Sequence, residues 1–260
     1  MEPGARLGDR GLTFKDHFSA GAGAYARHRP VYPPELAEVL AAHAPSRVLA
    51  LDVGTGSGQL AVLLADCFER VVATDASAAQ IAHATAHPRV EYRVAPAEAS
   101  GLPDASVDLV VAAQAAHWFD LDAFYAEARR IAKPRALLAL VSYAVTRIAP
   151  EIDAVVDHFH DVTLEGHWPP ERIHVVSGYA RLPFPFEEVT LPAVAMHARW
   201  DLAALLGYLR TWSGLVALAK TGAEGAARIA GFEAELTARW GDAATVRDVR
   251  WPLAVRATRL

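Results

Sequence analysis

The sequence predicts a doubly wound α/β fold, and three observations carry the prediction. Short apolar runs alternate with helical stretches of about ten residues through the first half of the chain. A glycine-rich turn joins the first run to the first of those stretches, and the chain closes on a segment in which apolar and polar residues alternate. Apolar runs separated by helices are the pattern of a parallel sheet covered on both faces, and the alternating end is that of an antiparallel strand.

Taken in order, Pro33-Pro34 opens a helix running to about His43, since proline is favoured in a first helical turn. RVLALDV (47–53) is the first strand and is followed by the helical LAVLLADCF. RVVAT (70–74) is the second, followed by SAAQIAHATA, a helix with Ser77 as its N-cap. VEYRVA (90–95) and VDLVVAA (107–113) are strands three and four, LDAFYAEARRIA (121–132) is an amphipathic helix, and ALLALVSYAV (136–145) is strand five. Residues 150 to 185 then hold one helix and a long irregular stretch punctuated by Pro and Gly. FEEVTLPAVAMHARW (186–200) contains an alternating strand that Pro192 confines to a sheet edge. Two helical stretches near 201–220 and 222–240 lead to RDVRWPLAVRATR, where Val249, Trp251, Leu253, Val255 and Ala257 share one face. Pro252 should mark the start of that strand or a bulge in it. The organisation expected is thirteen disordered residues (1–13) and one domain over 14–260, in which 14–145 form a cofactor-binding core and 150–185 an inserted lid.

Composition removes several classes of function. A net charge of −5 gives no general attraction for a polyanion, and no local basic stripe replaces it, so nucleic acid is not an expected partner. The longest uncharged apolar run, Ala136 to Val145, falls well short of the ~20 residues a membrane helix needs. Cys67 stands alone, which excludes an internal disulfide and any cysteine-based metal cluster. His158, His160 and His167 have no carboxylate partners in a metal-binding arrangement, so no metal is expected. A cytoplasmic protein is the expectation from these features.

The chemistry is concentrated in Asp52-Val53-Gly54-Thr55-Gly56-Ser57-Gly58-Gln59, between strand one and its helix. Glycines there let the backbone turn sharply and approach a ligand, and the helix start offers N–H groups and a favourable dipole. A nicotinamide-dinucleotide fingerprint puts its third glycine at position 59, where this chain has Gln59. The D-x-G-x-G-x-G spacing suits a ligand with an amino-acid part and a ribose. Asp75 closes strand two, where its carboxylate can grip both ribose hydroxyls. Alternatively the glycines make a plain turn and Asp75 caps a helix; the two elements together, in this order, favour the ligand.

This segment resembles motif I of the class I S-adenosylmethionine-dependent methyltransferases, and Thr74-Asp75-Ala76-Ser77 resembles their acidic strand-two motif. AYARHRPVYP before strand one, AEASGLPDASVDLVVAAQAAHWFD around strand four and the helix before KPRA extend the likeness over residues 14–145. It points to the type-11 branch, which includes trans-aconitate methyltransferase-like and ubiquinone/menaquinone C-methyltransferase-like proteins. The resemblance implies a seven-stranded sheet of order 3-2-1-4-5-7-6 with strand seven antiparallel, S-adenosyl-L-methionine as cofactor, and Asp52, Gly54, Thr55, Gly56, Gly58, Asp75, Ala76 and Gln114 around it. Tyr25 and Arg29 belong to a segment that relatives fold over the cofactor, with Arg29 placed to pair with its carboxylate. Two departures stand out. Pro96 replaces the aspartate that reads the adenine amino group, leaving Ala97 and Glu98 for that task. Pro134-Arg135-Ala136 replaces a Pro-Gly-Gly turn and should take another geometry.

Methyl transfer from a sulfonium is an in-line displacement in which alignment supplies most of the catalysis. A base is needed only when the acceptor must lose a proton. The loop after strand four, Gln114 to Asp120, lies where open α/β sheets bind ligands, so His117 and Trp118 are the candidates for touching the acceptor; packing the loop onto the sheet is the alternative role. Trp168, His174, Tyr179 and Trp212 suit a substrate cover or, equally, a core. The expectation is an enzyme that methylates a small molecule at a carboxylate or hydroxyl. The alternative is a cofactor-binding regulator of the same fold without turnover.

Overall fold

The computed structural model describes residues 30–260. Residues 1–13, expected to be disordered, and the candidates Tyr25 and Arg29 lie outside the described residues. The elements run α1 (Pro34–His43), β1 (Leu49–Val53), α2 (Gln59–Cys67), β2 (Arg70–Asp75), α3 (Ala78–Ala82), β3 (Val90–Val94), β4 (Val107–Ala113), α4 (Leu121–Ile131), β5 (Ala132–Tyr143), α5 (Pro150–His158), α6 (Arg172–Val176), β6 (Ala195–Trp200), α7 (Leu202–Leu209), α8 (Ser213–Ala219), α9 (Ala223–Trp240) and β7 (Arg247–Arg259).

The strands form one sheet of order β3-β2-β1-β4-β5-β7-β6. β3 through β5 are mutually parallel, and β7 runs antiparallel to both β5 and β6. Every residue of β1 is buried, as the unbroken apolar run requires of a central strand covered twice. Ala50 faces a core completed by Leu36 and Leu40 of α1 and Leu60 and Leu64 of α2. Leu49, Leu51 and Val53 face the opposite one, filled by Phe124, Tyr125 and Ile131 of α4. A third cluster lies beyond β5, where α5, α7, α8 and α9 close over Tyr143, Met196, Val249 and Trp251.

Four local departures from the sequence reading have physical causes. α3 stops at Ala82 instead of continuing through Ala86, because the Thr85 N–H donates to the Ser57 carbonyl and the Thr85 carbonyl accepts from the Tyr92 hydroxyl. The helix expected over 201–220 is two helices bent by 79°, because Trp212 is extended and buries its ring against Tyr208, Trp168 and His160. β5 begins straight from α4, and Arg135 takes φ 68°, the left-handed conformation that glycine adopts most easily. Pro252 sits inside β7, where the strand passes from one neighbour to the other: it pairs with Ala195 of β6, while β5 pairs only from Leu253 onward. Past Tyr143 the ladder on that side resumes at an isolated bridge, Arg147 to Arg250, displaced by one residue. The proline therefore faces an irregularity and no regular ladder bond is lost.

The segment 150–185 is packed. Ile152, Val155, Val156, Phe159, Leu164, Val175, Tyr179 and Leu182 are buried, α5 continues into a π-helical turn at Phe159–Thr163, and Trp168 lies between His160, Trp212 and Gly214. Of the residues read from sequence as a substrate cover or a core, Tyr179 is fully buried and Trp168 is partly buried against the cluster beyond β5. Among the described residues no single helix is long and apolar enough to cross a membrane.

At the edge of the sheet where the parallel strands begin, Asp108 ties β1 to β4 and β5. Its fully buried carboxylate accepts from the Ser46 hydroxyl (2.6 Å), the Val48 and Leu49 amides (3.1 and 2.9 Å) and Lys133 Nζ (2.9 and 3.0 Å). Burial pushes its pKa up, but these donors prevail and hold it below the ordinary value. Asp108→Ala strands two amides and a lysine, so it should lower stability by about 3 kcal/mol, read as a fall in the denaturant midpoint at constant m. A loss under about 0.5 kcal/mol would show that Asp108 does not tie the strands.

Candidate active site

The candidate residues Asp52 through Gly58, Asp75, Ala76, Ala97, Glu98, Gln114, His117 and Trp118 all lie at the carboxyl ends of β1 to β4 or in the loops that follow. These four strands are neighbours in the sheet, so residues up to 66 positions apart in sequence come to one edge. The folding rule for open parallel sheets thereby collects them without direct contacts between most of them.

β1 and β2 are joined at this edge by Asp75. Its Oδ2 accepts from the Gly56 amide (2.9 Å) and its Oδ1 from the Ser77 amide (2.8 Å). The carboxylate is thus oriented by the backbone, and each oxygen keeps a further lone-pair direction. The Thr74 carbonyl accepts from the amides of both Gly54 and Thr55 (2.8 and 2.9 Å), fixing the start of the loop.

Two glycines are dictated by packing. Gly54 has φ 69°, and a Cβ there would stand 2.5 Å from the Cβ of Ala115 in the loop after β4. At Gly58 (φ 83°) a Cβ would meet the Tyr92 hydroxyl at 2.2 Å. The space beside Gly56 is different: the nearest atom to a built Cβ is Gln80 Oε1 at 3.9 Å. Of the three, only Gly56 would accommodate a Cβ without a clash.

Asp52 is 1% exposed. Its Oδ2 accepts from the Thr55 hydroxyl at 2.6 Å, and the Ala61 amide at the start of α2 also faces it. Burial raises its pKa from 3.8 to about 7; Thr55 works against the rise and Asp75 adds to it. On the β3 side, Ala97 is buried, and Glu98 Oε1 accepts from the Asp120 amide at 3.0 Å, which ties this loop to the one after β4.

The loop after β4 begins at Gln114, whose φ of 55° is strained for a side-chain-bearing residue. Gln114 is held there by its amide on Val141 O (2.8 Å) and its Nε2 on Tyr143 O (2.8 Å). His117 follows in a single 3₁₀ turn (Ala116–Trp118), its ring 4.8 Å from that of Trp118. His117 Nδ1 lies 3.0 Å from the hydroxyl of Tyr179. Burial, Arg172 and His174 lower the His117 pKa from 6.5 to about 4, so the ring is neutral across the physiological range.

Tyr179 was singled out in sequence only as one of several aromatics in the inserted segment. It comes from the turn after α6, at φ 64°, and carried no periodicity or motif that would connect it to His117. His160, in the π-helical turn, was set aside with the other histidines. Its Nδ1 pairs with Asp161 (2.6 Å) and its Nε2 lies 3.3 Å from Arg172. Together with Arg147, Asp157, Asp161 and Val176 it lines a cavity of about 440 Å³ beyond β5. None of the glycine-loop residues lines this cavity. Among the described residues no three His, Cys, Asp or Glu side chains converge as a metal site.

Comparison with known proteins agrees with the fold. A family model described as a methyltransferase domain matches residues 51–140, from the end of β1 through β5. A Dictyostelium discoideum protein that carries the name methyltransferase is 36% identical over 213 residues, 80% of this chain and 81% of that one. A solved structure from Anaeromyxobacter dehalogenans, described as a type II methyltransferase, is 52% identical with a TM-score of 0.84, covering 89% of this chain and 97% of the other. A Mycobacterium tuberculosis methyltransferase is 38% identical over 125 residues, about half of each chain. Fold and relatives define a class I methyltransferase. The chain belongs to the S-adenosylmethionine-dependent methyltransferase family, and S-adenosyl-L-methionine is its cofactor.

The raised pKa of Asp52 makes a sign-definite prediction. Between about pH 4 and pH 7 the folded protein keeps a proton on Asp52 that the unfolded chain has released. The stability this proton contributes is complete below pH 4 and is lost as pH rises toward 7, with a limiting slope of ~1.4 kcal/mol per pH unit. The unfolding free energy of wild type minus that of Asp52→Asn should fall over this window and level off above it. A flat or rising difference would mean that Asp52 is ionised in the fold.

Proposed function

We propose that this enzyme methylates a carboxylate or hydroxyl oxygen of a small molecule, with the acceptor seated between the loop after β4 and the inserted segment 150–185. The observation that carries the reading is the meeting of His117, from the sheet edge, with Tyr179, from the insertion, at 3.0 Å. It brings the imidazole of the β4 loop against a phenol contributed by the inserted segment.

The residues present suit the cofactor. Asp75, already aimed by two amides, has lone pairs left for the two hydroxyls of a ribose. The room beside Gly56 admits a ligand against bare backbone, at the start of a helix whose N-cap, Gly58, supplies no capping side chain. Ala97 and Glu98 border the adenine side in this reading, with one Glu98 oxygen committed to Asp120 and the other left for the ligand. Asp52 and Thr55 support the loop from beneath. When bound, the cofactor supplies a methyl group on a positively charged sulfur, already activated for displacement.

The contribution of the chain is then placement. Holding two reactants in line can be worth up to ~10⁵–10⁸ M of effective concentration, and the strained, doubly anchored Gln114 fixes the loop that would do so. His117 and Trp118 touch the acceptor in this reading, and the insertion roofs them. A cavity in the insertion, with Arg147, His160 and Asp161 on its walls, has room for a small polar molecule.

Incubation of the protein with a small-molecule extract and methyl-labelled S-adenosylmethionine tests this. Label should enter low-molecular-weight product, and alkali then sorts it: a carboxylate ester releases labelled methanol, whereas a methylated hydroxyl keeps its label. Label found only in nucleic acid or protein would overturn the reading.

A further inference from the structure

We infer that Tyr179 is a positioning residue that fixes His117 as its Nε2–H tautomer, so that His117 offers the acceptor a hydrogen-bond donor and takes no proton from it. This rests on the placement of His117 beside the acceptor given above, and adds which of its two possible roles the ring plays.

The argument is one of buried hydrogens. Tyr179 is 0% exposed, and its hydroxyl must place its hydrogen on an acceptor. Among the described residues the only side-chain acceptor within hydrogen-bond distance is His117 Nδ1, at 3.0 Å. The nearby backbone amides of Ala116 and His117 can only donate, so they offer the phenol hydrogen no acceptor. If Nδ1 carried the imidazole hydrogen it could only donate to the phenol oxygen, and the phenol O–H would be left buried without a partner, at a cost of ~1–3 kcal/mol. With the hydrogen on Nε2 the phenol donates to Nδ1 and its hydrogen is matched. Nε2 makes no hydrogen bond among the described residues and remains available to a ligand.

Two further features keep this arrangement. Burial holds the Tyr179 phenol well above its ordinary pKa, so it stays a donor. Burial together with Arg172 and His174 keeps His117 from taking a second proton near neutral pH. Tyr179 also holds φ 64° to reach this position, a backbone strain that the buried contacts must offset.

The consequence is a substrate class. A nitrogen that already bears its hydrogen cannot remove one, so an acceptor that relies on His117 must arrive without a proton on its reacting atom. A carboxylate meets that condition. Its oxygen forms the new O–CH₃ bond, the C–S bond breaks with its electron pair returning to sulfur, and no proton is left to place. A neutral alcohol does not meet it.

Nitrogen-15 NMR of histidine-labelled protein tests the inference without any acceptor. The His117 resonances, assigned by their loss in His117→Gln, should show a pyrrole-type Nε2 and a pyridine-type, hydrogen-bonded Nδ1 near pH 7. Tyr179→Phe should convert this to a mixture of tautomers. A pyrrole-type Nδ1 in the wild type overturns the inference, and so does a Tyr179→Phe spectrum identical to wild type. If that variant does not fold, the wild-type spectrum still decides. Binding of S-adenosylhomocysteine to the same sample separates the two levels: a wrong tautomer with intact binding removes this inference alone, and loss of binding removes the methyl-transfer reading beneath it.

Discussion

At Gly54 the end of β1 passes so close to the loop after β4 that a methyl group would stand 2.5 Å from the Ala115 side chain. Much of the site depends on that closeness. It lets the glycine loop lie between its neighbours, so that Gly56 can donate to Asp75 on one flank while the His117 loop stands on the other. Any side chain at 54 would push these apart, and the left-handed φ there would strain it further. The glycines that a sequence pattern assigns to a ligand are in two of three places required first by the protein's own packing.

The carboxylates at the two edges of the sheet show how environment divides one chemical group between roles. Asp108, where the strands begin, is surrounded by four donor groups and held ionised, as a tie. Asp52, where β1 ends, is as deeply buried but has fewer donors and another carboxylate nearby, so its proton is retained to about pH 7. Asp75, half-buried and aimed by two amides, stands at the mouth of the loop with bonding capacity to spare. Of the three, only Asp75 combines partial exposure with lone pairs left over.

The fold was legible because hydrophobic period and glycine placement act locally. β1 to β5 and the order of the sheet follow from apolar runs such as Leu49–Val53 and from the resemblance around Gly54 to Gly58. The positions of the glycine loop, Asp75 and the His117 loop at the carboxyl ends of the strands were legible for the same reason, each being a short contiguous signal after a strand. What was not legible depends on contacts across long sequence distances. Nothing near Tyr179 indicates that it would meet a histidine 62 positions earlier, and the packing of Trp168 requires Trp212 and Gly214, which arrive two helices later. Pro252 inside a strand is understandable only when the partner strand's departure after Tyr143 is known. Arg135 at φ 68° shows the opposite case, a backbone conformation that glycine favours held by an arginine.

The central claim is that Asp75 and the glycine loop form a ribose-gripping cofactor site and that no dinucleotide fits there. Calorimetric titration of S-adenosylhomocysteine and of NAD into wild type and Asp75→Ala tests it most directly. A charge-assisted hydrogen bond contributes ~1.5–3 kcal/mol, so Asp75→Ala should weaken S-adenosylhomocysteine by ~10–100-fold, and NAD should give no heat with either protein. Binding of NAD without a response to S-adenosylhomocysteine, or an Asp75→Ala affinity within about twofold of wild type, would contradict the account.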